Sequence, residues 1–292
     1  MEKFNRNLSV FQSCDALYSE ADVVIFSVPM DATCSFKAGT RFAGPAIRNE
    51  SIGIEWYSPY FDMDLKDYKT CDIGDLEIPM GDVEKDLDII SQTTSEMLKD
   101  NKKTVMIGGE HLVTYGTIRE YVKKYPDLCI IHFDAHTDLR EEFLGRELSH
   151  ATVLRKCYDM LDTGTLYQFG IRSGDKEEFV WAKNHIHQRL FDTIGIDKCV
   201  DELKDRPVYI TIDLDVLDPS LFPGTGTPEA GGITYKELED AILTMRGLNN
   251  IVGCDIVELS PDYDTSRVSS QVAAKVLREM VLLLHYCNEK NK

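Results

Sequence analysis

The sequence lacks any run of about 18 consecutive apolar residues, so a transmembrane helix is excluded. The segment Met1–Val10 has no apolar stretch of the kind found in a secretory signal, so we expect a cytoplasmic protein without a membrane partner. Basic residues are also scarce, because 32 lysines and arginines face 50 aspartates and glutamates among 292 residues. The net charge of −18 repels phosphate backbones and argues against a nucleic-acid partner, whereas a small cationic ligand would be attracted.

Closely spaced cysteines are absent as well. The eight cysteines are at least 20 residues apart, so the sequence contains no C-x-x-C metal or redox motif. Several of them lie in apolar segments, where a free cysteine behaves as a small hydrophobic residue. We therefore expect reduced structural thiols, as in a cytosolic protein.

Short apolar segments alternate with helix-like segments along the whole chain. The predicted strands cover residues 21–29, 103–109, 128–134, 166–171, 206–215 and 250–259. The predicted helices cover residues 83–100, 112–125, 175–185, 234–246 and 265–288. Continuous apolar strands are typical of a parallel sheet that is covered on both faces. The pattern predicts a single α/β domain over residues 1–292, without a linker or an internal repeat.

Polar clusters follow or end four of these predicted strands. They are Gly108–His111, Asp134–Asp138, Asp213–Asp215 and Asp255–Glu258. The carboxyl ends of parallel strands form the ligand crevice of an open sheet, so these clusters are expected to meet at one edge. Carboxylates and imidazoles gathered at the ends of apolar strands require a compensating cation.

The spacing within the clusters favours two metal ions over one. Residues two apart on a strand lie about 6.7 Å apart, so Asp213 and Asp215 are too widely spaced to clasp one ion comfortably. Asp134, His136 and Asp138 would span about 13 Å if extended, and two ions about 3.5–4 Å apart can share that set. The sequence thus predicts a binuclear site with one bridging carboxylate from each strand. The donors are imidazole and carboxylate without thiolate, which suits Mn²⁺ first, with Zn²⁺ or Fe²⁺ as alternatives.

Other histidines and motifs are interpreted as structural. His132 lies deeper in its strand than the ligand cluster, so a buried or supporting role is expected. His185 and His187 lie where a predicted helix ends and are interpreted as surface residues. The segment Gly224–Glu229 departs from a dinucleotide-binding fingerprint. Asp72–Asp75 could be a metallophosphatase-like fragment, but it lies in a turn-rich stretch without an accompanying histidine and is interpreted as structural.

Taken in order, four motifs resemble those of the ureohydrolase (arginase/agmatinase) family, and most closely those of its agmatinase branch. They are G-G-E-H at 108–111, H-F-D-A-H-T-D at 132–138, I-D-L-D-V-L-D-P with G-T-G-T-P-E-A-G-G at 212–232, and D-I-V-E-L-S-P-D-Y-D at 255–264. The resemblance extends from about Ser27 to the terminal helix. It implies an arginase-like, three-layer α/β/α fold with a mostly parallel sheet, and a homo-oligomer, either a trimer or a hexamer.

The resemblance also implies two Mn²⁺ ions per chain. The ligands would be His111, Asp134, His136, Asp138, Asp213 and Asp215. Asp134 and Asp213 would bridge the two ions. His111 and Asp138 would complete one ion, and His136 and Asp215 the other.

The reaction implied by the resemblance is the hydrolysis of a guanidinium group to urea and an amine by a metal-bridging hydroxide. Glu258 would bind the planar guanidinium, and Thr227 would line the same crevice. Asp138 would accept a hydrogen bond or a proton from the nucleophile. His150, expected to titrate near the working pH, would relay a proton to the leaving amine.

The loop 139–148 bears on which guanidine is the substrate, because it carries three glutamates and no asparagine or serine. This composition favours a cationic tail over an α-carboxylate, so we expect agmatine to be hydrolysed to putrescine and urea, a step of polyamine synthesis. Arg140 and Arg146 of the same loop could instead bind a carboxylate, as in 4-guanidinobutyrate. Two further alternatives are less favoured. A deacetylase shares the fold but uses one metal ion, and the complete second ligand set argues against it. A non-catalytic metal-binding regulatory protein is disfavoured because every expected ligand and the shuttling histidine are present, and absence of urea release with metal bound would favour it again.

Overall fold

The centre of the structure, a computed structural model that describes residues 9–79 and 81–290, is a sheet of eight parallel strands. The described residues contain ten strands: β1 (Val23–Ser27), β2 (Tyr57–Ser58), β3 (Met63–Asp64), β4 (Thr70–Asp75), β5 (Lys103–Ile107), β6 (Cys129–Phe133), β7 (Leu166–Ile171), β8 (His187–Leu190), β9 (Val208–Asp213) and β10 (Ile251–Val257). The sheet has the order β4-β1-β5-β10-β9-β6-β7-β8, and β2 and β3 form a separate antiparallel pair.

Helices cover both faces of this sheet. In the described part of the chain they are α1 (Ala43–Ser51), α2 (Val83–Lys99), α3 (Val113–Lys124), α4 (Val153–Tyr158), α5 (Lys176–His185), α6 (Ile196–Leu203), α7 (Tyr235–Thr244) and α8 (Val268–Lys290). Successive strand residues point to opposite faces. Val23 and Ile25 therefore pack in a core with α1, α6, α7 and α8, whereas Val24 and Phe26 pack in a second core with α2 to α5. The predicted three-layer α/β/α fold with a parallel sheet is confirmed.

All six predicted strands and all five predicted helices are present, with ends shifted by a few residues. The prediction missed β4 and β8, which are the two edge strands of the sheet. Their sequences, TCDIGD and HQRL, carry polar residues where a buried strand has a continuous apolar run. It also missed the hairpin β2–β3 and the short helices α1, α4 and α6. Of these, α4 has only six residues, too few to show helical periodicity.

Asp72–Asp75, expected in a turn-rich stretch, belongs to β4, and its contacts agree with the interpretation of this segment as structural. Arg48 of α1 is buried beside them, and its Nε and Nη2 atoms donate to the Asp72 carboxylate at 2.8 and 2.9 Å. The Asp75 carboxylate pairs with the same guanidinium. These contacts give both carboxylates a structural role, since they hold α1 against the edge strand.

The structure bears on membrane insertion but not on secretion. Among the described helices, none is long and apolar enough to cross a membrane. The expectation that the chain has no secretory signal concerns Met1–Val10, and the first eight of these residues lie outside the described part of the chain.

Candidate metal centre and active site

The polar clusters at the ends of four strands meet at one edge of the sheet, because β5, β10, β9 and β6 are neighbours and all are parallel. The chain leaves the sheet immediately after each strand, and this brings His111, Asp134, Asp213 and Glu258 together. Two sharp turns contribute to the arrangement. Asp138 and Glu258 have φ values of 53° and 66°, in the left-handed region that few residues other than glycine adopt.

One group of predicted ligands surrounds His111. Its Nδ1 atom lies 3.2 Å from Asp134 Oδ2, 3.2 Å from Asp138 Oδ2 and 3.4 Å from Asp213 Oδ2. All four side chains are buried. Three buried carboxylates therefore converge on one imidazole nitrogen.

A second group adjoins the first through Asp134. The Nδ1 atom of His136 lies 2.9 Å from Asp215 Oδ2 and 3.5 Å from Asp134 Oδ1. Asp134 thus presents one oxygen to each histidine and joins the two groups. Asp213 presents Oδ2 to the first group, while its Oδ1 accepts from the backbone N–H of Asp215 at 2.9 Å. The six predicted ligands lie together in two adjoining groups.

The donor atoms of this cluster are arranged to hold a cation. Because the Thr211 hydroxyl donates to Asp255 Oδ1, its oxygen accepts the Nε2 proton of His111 at 2.9 Å. His111 Nδ1 therefore carries a lone pair that faces the carboxylates. Within the described residues, His111 Nδ1 and Asp215 Oδ2 are buried and lack a hydrogen bond of acceptable angle, although His136 Nδ1 lies 2.9 Å from Asp215 Oδ2. Lone pairs this close repel one another unless a cation lies between them, so the residues fit a metal site with nitrogen and oxygen donors.

His132 supports this cluster from beneath. The side-chain amide of Gln168 donates to His132 Nδ1 at 3.0 Å, so the ring proton is on Nε2 and is donated to Asp134 Oδ2 at 2.8 Å. His132 is fully buried. As expected from the sequence, it is a buried partner of Asp134.

Burial and like charge raise the pKa of several carboxyl groups in the cluster. For Asp138, burial and then the charge of Asp134 raise the pKa to about 7. Burial and then the charge of Asp215 raise the pKa of Asp213 well above its usual value, and burial does the same for the pKa of Glu258. These three carboxyl groups therefore resist ionisation in their buried surroundings, and bound cations would favour their ionised forms.

A cavity of about 270 Å³ opens beside the cluster. Six of the residues assigned to metal binding or catalysis line it: His136, Asp138, His150, Asp213, Thr227 and Glu258. The other three, His111, Asp134 and Asp215, are buried. A cavity of this size, with several polar groups converging on it, suits a small molecule.

His150 lies in a single helical turn just before α4, at the wall of the cavity. Burial lowers the pKa of His150 to about 4, so the ring is neutral at neutral pH. The sequence-based expectation that it titrates near the working pH is therefore wrong for this structure. The physical reason is desolvation, since the ring packs edge-on against Phe143 with 5.6 Å between ring centroids.

The sequence analysis missed part of the cavity wall. Ser173, Asp175 and Glu178 line the cavity after the end of β7. A signal for them was present, because β7 was predicted and the polar segment R-S-G-D follows it directly. Ser35 also lines the cavity, and the loop that carries it has no pattern that predicts a functional role.

Comparisons with known proteins identify the family to which this fold belongs. A family model described as the arginase family matches residues 21–283. An agmatinase from Bacillus anthracis is 48% identical over 276 residues, which cover 94% of this chain and 95% of the relative. The solved structure of the agmatine ureohydrolase of Thermoplasma volcanium is 32% identical, with a TM-score of 0.89 and coverage of 98% of each chain. A guanidinobutyrase from Pseudomonas aeruginosa is 31% identical over 285 residues, which cover 90% of this chain and 86% of the relative.

Proposed function

The chain belongs to the arginase family and is an agmatinase-like ureohydrolase, an enzyme that hydrolyses a guanidino group, and we propose that its substrate is agmatine. The products would be putrescine and urea. The observation that carries this proposal is the position of Asp134 between His111 and His136, beside a cavity that Glu258 lines.

We propose that the chain binds two manganese ions. Their ligands would be His111, Asp134, His136, Asp138, Asp213 and Asp215. Bound there, the ions would lower the pKa of a shared water molecule so that hydroxide is available near neutral pH. The bridging role of Asp134 is supported by its two oxygens, which face different histidines. Asp213 is proposed as the second bridge.

Glu258 is proposed to bind and orient the guanidinium group. Its Oε1 atom accepts from the backbone N–H of His111 at 2.7 Å, so the carboxylate is held in place at the cavity wall. A carboxylate pairs with a planar guanidinium through two parallel hydrogen bonds, and this pairing would align the central carbon for attack. Thr227 lines the same wall. Asp138 is proposed to accept a hydrogen bond or a proton from the nucleophile.

His150 is proposed to relay the proton that the leaving amine needs. Its side chain is at the cavity wall, within reach of a bound substrate. Burial lowers its pKa to about 4, so the neutral ring predominates near neutral pH and the proposed role is to pass a proton on rather than to store one.

The charges on the cavity wall support a substrate with a cationic tail. Arg140 Nη1 lies 3.0 Å from Asp175 Oδ2, and Arg140 Nε lies 3.4 Å from Glu178 Oε2. Its guanidinium also packs 4.7 Å from the ring centroid of Phe143. One positive charge thus faces two negative charges, and the excess of negative charge favours an ammonium group. Arg146, the other cation of this loop, is exposed.

4-Guanidinobutyrate is the second candidate substrate. Arg140 remains at the cavity wall, where a carboxylate could compete for it, and a guanidinobutyrase is among the relatives. The paired state of Arg140 makes this alternative less favourable than agmatine.

The test is urea release from the manganese-loaded protein offered agmatine, 4-guanidinobutyrate and arginine in parallel. We expect turnover of agmatine, and we expect Asp134→Asn and Asp213→Asn to reduce it by at least about 100-fold. Asp240→Asn, the same chemical change at an exposed position of α7, is the matched control. Preference for 4-guanidinobutyrate would reassign the substrate, and no urea from any guanidine with two metal ions bound would refute catalysis.

We further propose that the chain acts as one ureohydrolase domain over residues 1–292 and forms a homo-oligomer, a trimer or a hexamer, in the cytoplasm. The family match over residues 21–283 and the shared sheet support a single domain. Sedimentation velocity on the purified protein tests the oligomeric state, and a monomer at micromolar concentration would refute it.

A further inference from the structure

The loop between β1 and α1 contacts His150 on both sides of its ring. The backbone N–H of His150 donates to Thr33 Oγ1 at 3.0 Å, and the same hydroxyl lies 3.3 Å from the ring atom Nδ1. Ser149 Oγ also lies 3.3 Å from Nδ1. On the other side, Ser35 Oγ lies 3.3 Å from Nε2. Each ring nitrogen therefore has a hydroxyl partner.

We propose that Thr33 and Ser35 are positioning residues, which hold the His150 ring in one orientation and one tautomer. The inference rests on the proposed role of His150 in proton transfer. Thr33 Oγ1 and Ser149 Oγ already accept the backbone N–H groups of His150 and Ala151. Each hydroxyl keeps its own proton, and one of the two can donate it to the single lone pair of Nδ1. The neutral ring then carries its proton on Nε2, where it faces Ser35.

Hydroxyl groups suit a ring that gains and loses a proton. A hydroxyl donates to a neutral ring nitrogen and accepts from a protonated one, so His150 keeps a partner for each nitrogen in both charge states. A carboxylate would favour only the charged ring, and a lysine only the neutral one. Ser35 is exposed as well as bonded to Nε2, so its hydroxyl also connects the ring to solvent.

Thr33 is itself fixed to the turn that carries a proposed metal ligand. Its backbone N–H donates to Glu110 Oε2 at 2.8 Å, and the backbone N–H of Glu110 donates to the carbonyl of Met30 at 2.8 Å. Glu110 is fully buried and immediately precedes His111. The orientation of His150 is thus tied, through Thr33 and Glu110, to the position of the metal cluster.

Four variants of the full-length, manganese-loaded protein test the proposal with agmatine as substrate. Thr33→Val removes the hydroxyl and keeps the shape, and Thr33→Ser keeps the hydroxyl. Ser35→Ala removes the second hydroxyl. Cys34→Ala is the control, since it truncates the side chain between them, whose sulfur faces Thr40 Oγ1 at 4.0 Å. We expect Thr33→Val to lower kcat about 10- to 100-fold, with KM within about twofold.

A spectroscopic measurement separates positioning from a loss of packing. Long-range proton–nitrogen spectra are recorded on protein loaded with diamagnetic Zn²⁺, because paramagnetic Mn²⁺ would broaden the signals of a ring in the same cavity. The His150 signals, assigned by their loss in His150→Asn, report the tautomer of the ring. We expect one Nε2–H tautomer in the wild type, Thr33→Ser and Cys34→Ala, and a mixture in Thr33→Val. Ser35→Ala is expected to shift the Nε2 resonance and to lower kcat.

Three outcomes would overturn the proposal. One is a Thr33→Val enzyme with the kcat and ring spectrum of the wild type. Another is a loss of kcat that Thr33→Ser shares, because packing would then be the cause. The third is a wild-type ring with mixed tautomers. If the wild type releases no urea from any guanidine, the proposed function fails, and the ring spectra still decide whether Thr33 and Ser35 position His150.

Discussion

Thr211 and His111 are joined by a hydrogen bond of 2.9 Å between the hydroxyl oxygen and Nε2, and this contact determines which ring nitrogen faces the carboxylates. The hydroxyl is oriented by Asp255, to which it donates its own proton. His111 therefore presents the lone pair of Nδ1 to the cluster. Partners of this kind orient metal-binding histidines and raise their basicity.

We expect Thr211→Val to weaken manganese binding about 10- to 100-fold, because the Nε2–H of His111 would lose its acceptor and the ring its fixed orientation. Titration of the metal-free protein against a calibrated chelator measures the affinity. Thr211→Ser keeps the hydroxyl and is the matched control, expected to bind within about twofold of the wild type. A Thr211→Val protein with wild-type affinity would show that His111 needs no such partner.

The cluster of proposed metal ligands depends on Gly109, a residue without a side chain. A Cβ there would lie 1.8 Å from the carbonyl oxygen of Met30. The Gly109 carbonyl also accepts from the backbone N–H of Glu258 at 3.0 Å. We expect Gly109→Ala to displace His111 and Glu258 and to lower kcat/KM for agmatine by about 100-fold or more, since a shift of about 1 Å can cost that much.

Gly164→Ala provides the comparison for this variant. The Cβ of the new alanine would lie 1.7 Å from the carbonyl oxygen of Leu128, an equally severe backbone clash. Leu128 and Gly164 directly precede β6 and β7, so this clash is at the amino ends of the strands, away from the site. Both variants are expected to melt at a lower temperature. Only Gly109→Ala should lose activity per folded molecule, and an equal loss in both would point to general destabilisation.

The interior of the fold could be predicted because buried strands carry an unambiguous pattern. The segment CIIHF of β6 is apolar except for His132 and lies between two other strands of the sheet. The edge strand β4 could not be predicted, since Asp72 and Asp75 make it polar. Both carboxylates pair with Arg48, which lies 24 residues from Asp72 along the chain. Contacts over such a distance leave no local pattern.

The candidate site likewise has one part that could be predicted from the sequence and another that could not. The predicted ligands directly follow buried strands, so parallel geometry alone brings Asp134 and Asp213 together. The polar residues of the surrounding loops, such as Ser35 and Asp175, depend on tertiary contacts for their position. The lowered pKa of His150 likewise comes from its burial in the folded protein, which the sequence does not reveal.

The buried carboxyl group of Glu239 in α7 is expected to make the stability of the protein depend on pH. Its side chain is fully buried, Tyr235 Oη donates to its Oε2 at 2.6 Å, and its Oε1 has no hydrogen-bond partner in the described chain. Burial, and to a smaller extent the charge of Glu279, raise the pKa from its ordinary value near 4.5 to about 7. The folded state thus binds this proton more tightly than the unfolded state. The contribution of Glu239 to the free energy of unfolding therefore falls as pH rises through this range.

Glu239→Gln cannot ionise, so it removes this loss. We compare the free energy of unfolding of the variant with that of the wild type at each pH. The difference should favour the variant by about 2 kcal/mol more at pH 8 than at pH 4. Urea denaturation of the wild type and the variant at both pH values measures the difference. Asp240→Asn, at the adjacent exposed position, should show no such pH dependence. An equal effect of Glu239→Gln at pH 4 and pH 8 would contradict the raised pKa.

The ion pairs that Asp175 and Glu178 form with Arg140 are expected to influence the choice of substrate. Asp175→Asn removes one of the two charges that face Arg140 and keeps a residue that can cap α5. We expect kcat/KM to fall about tenfold for agmatine and to rise for 4-guanidinobutyrate, because Arg140 becomes available to a carboxylate. Glu177→Gln makes a similar charge change at an exposed position of the same helix and should leave the ratio unaltered. If Asp175→Asn changes both substrates in parallel, the paired state of Arg140 does not set the preference, and the tail must be recognised elsewhere in the cavity.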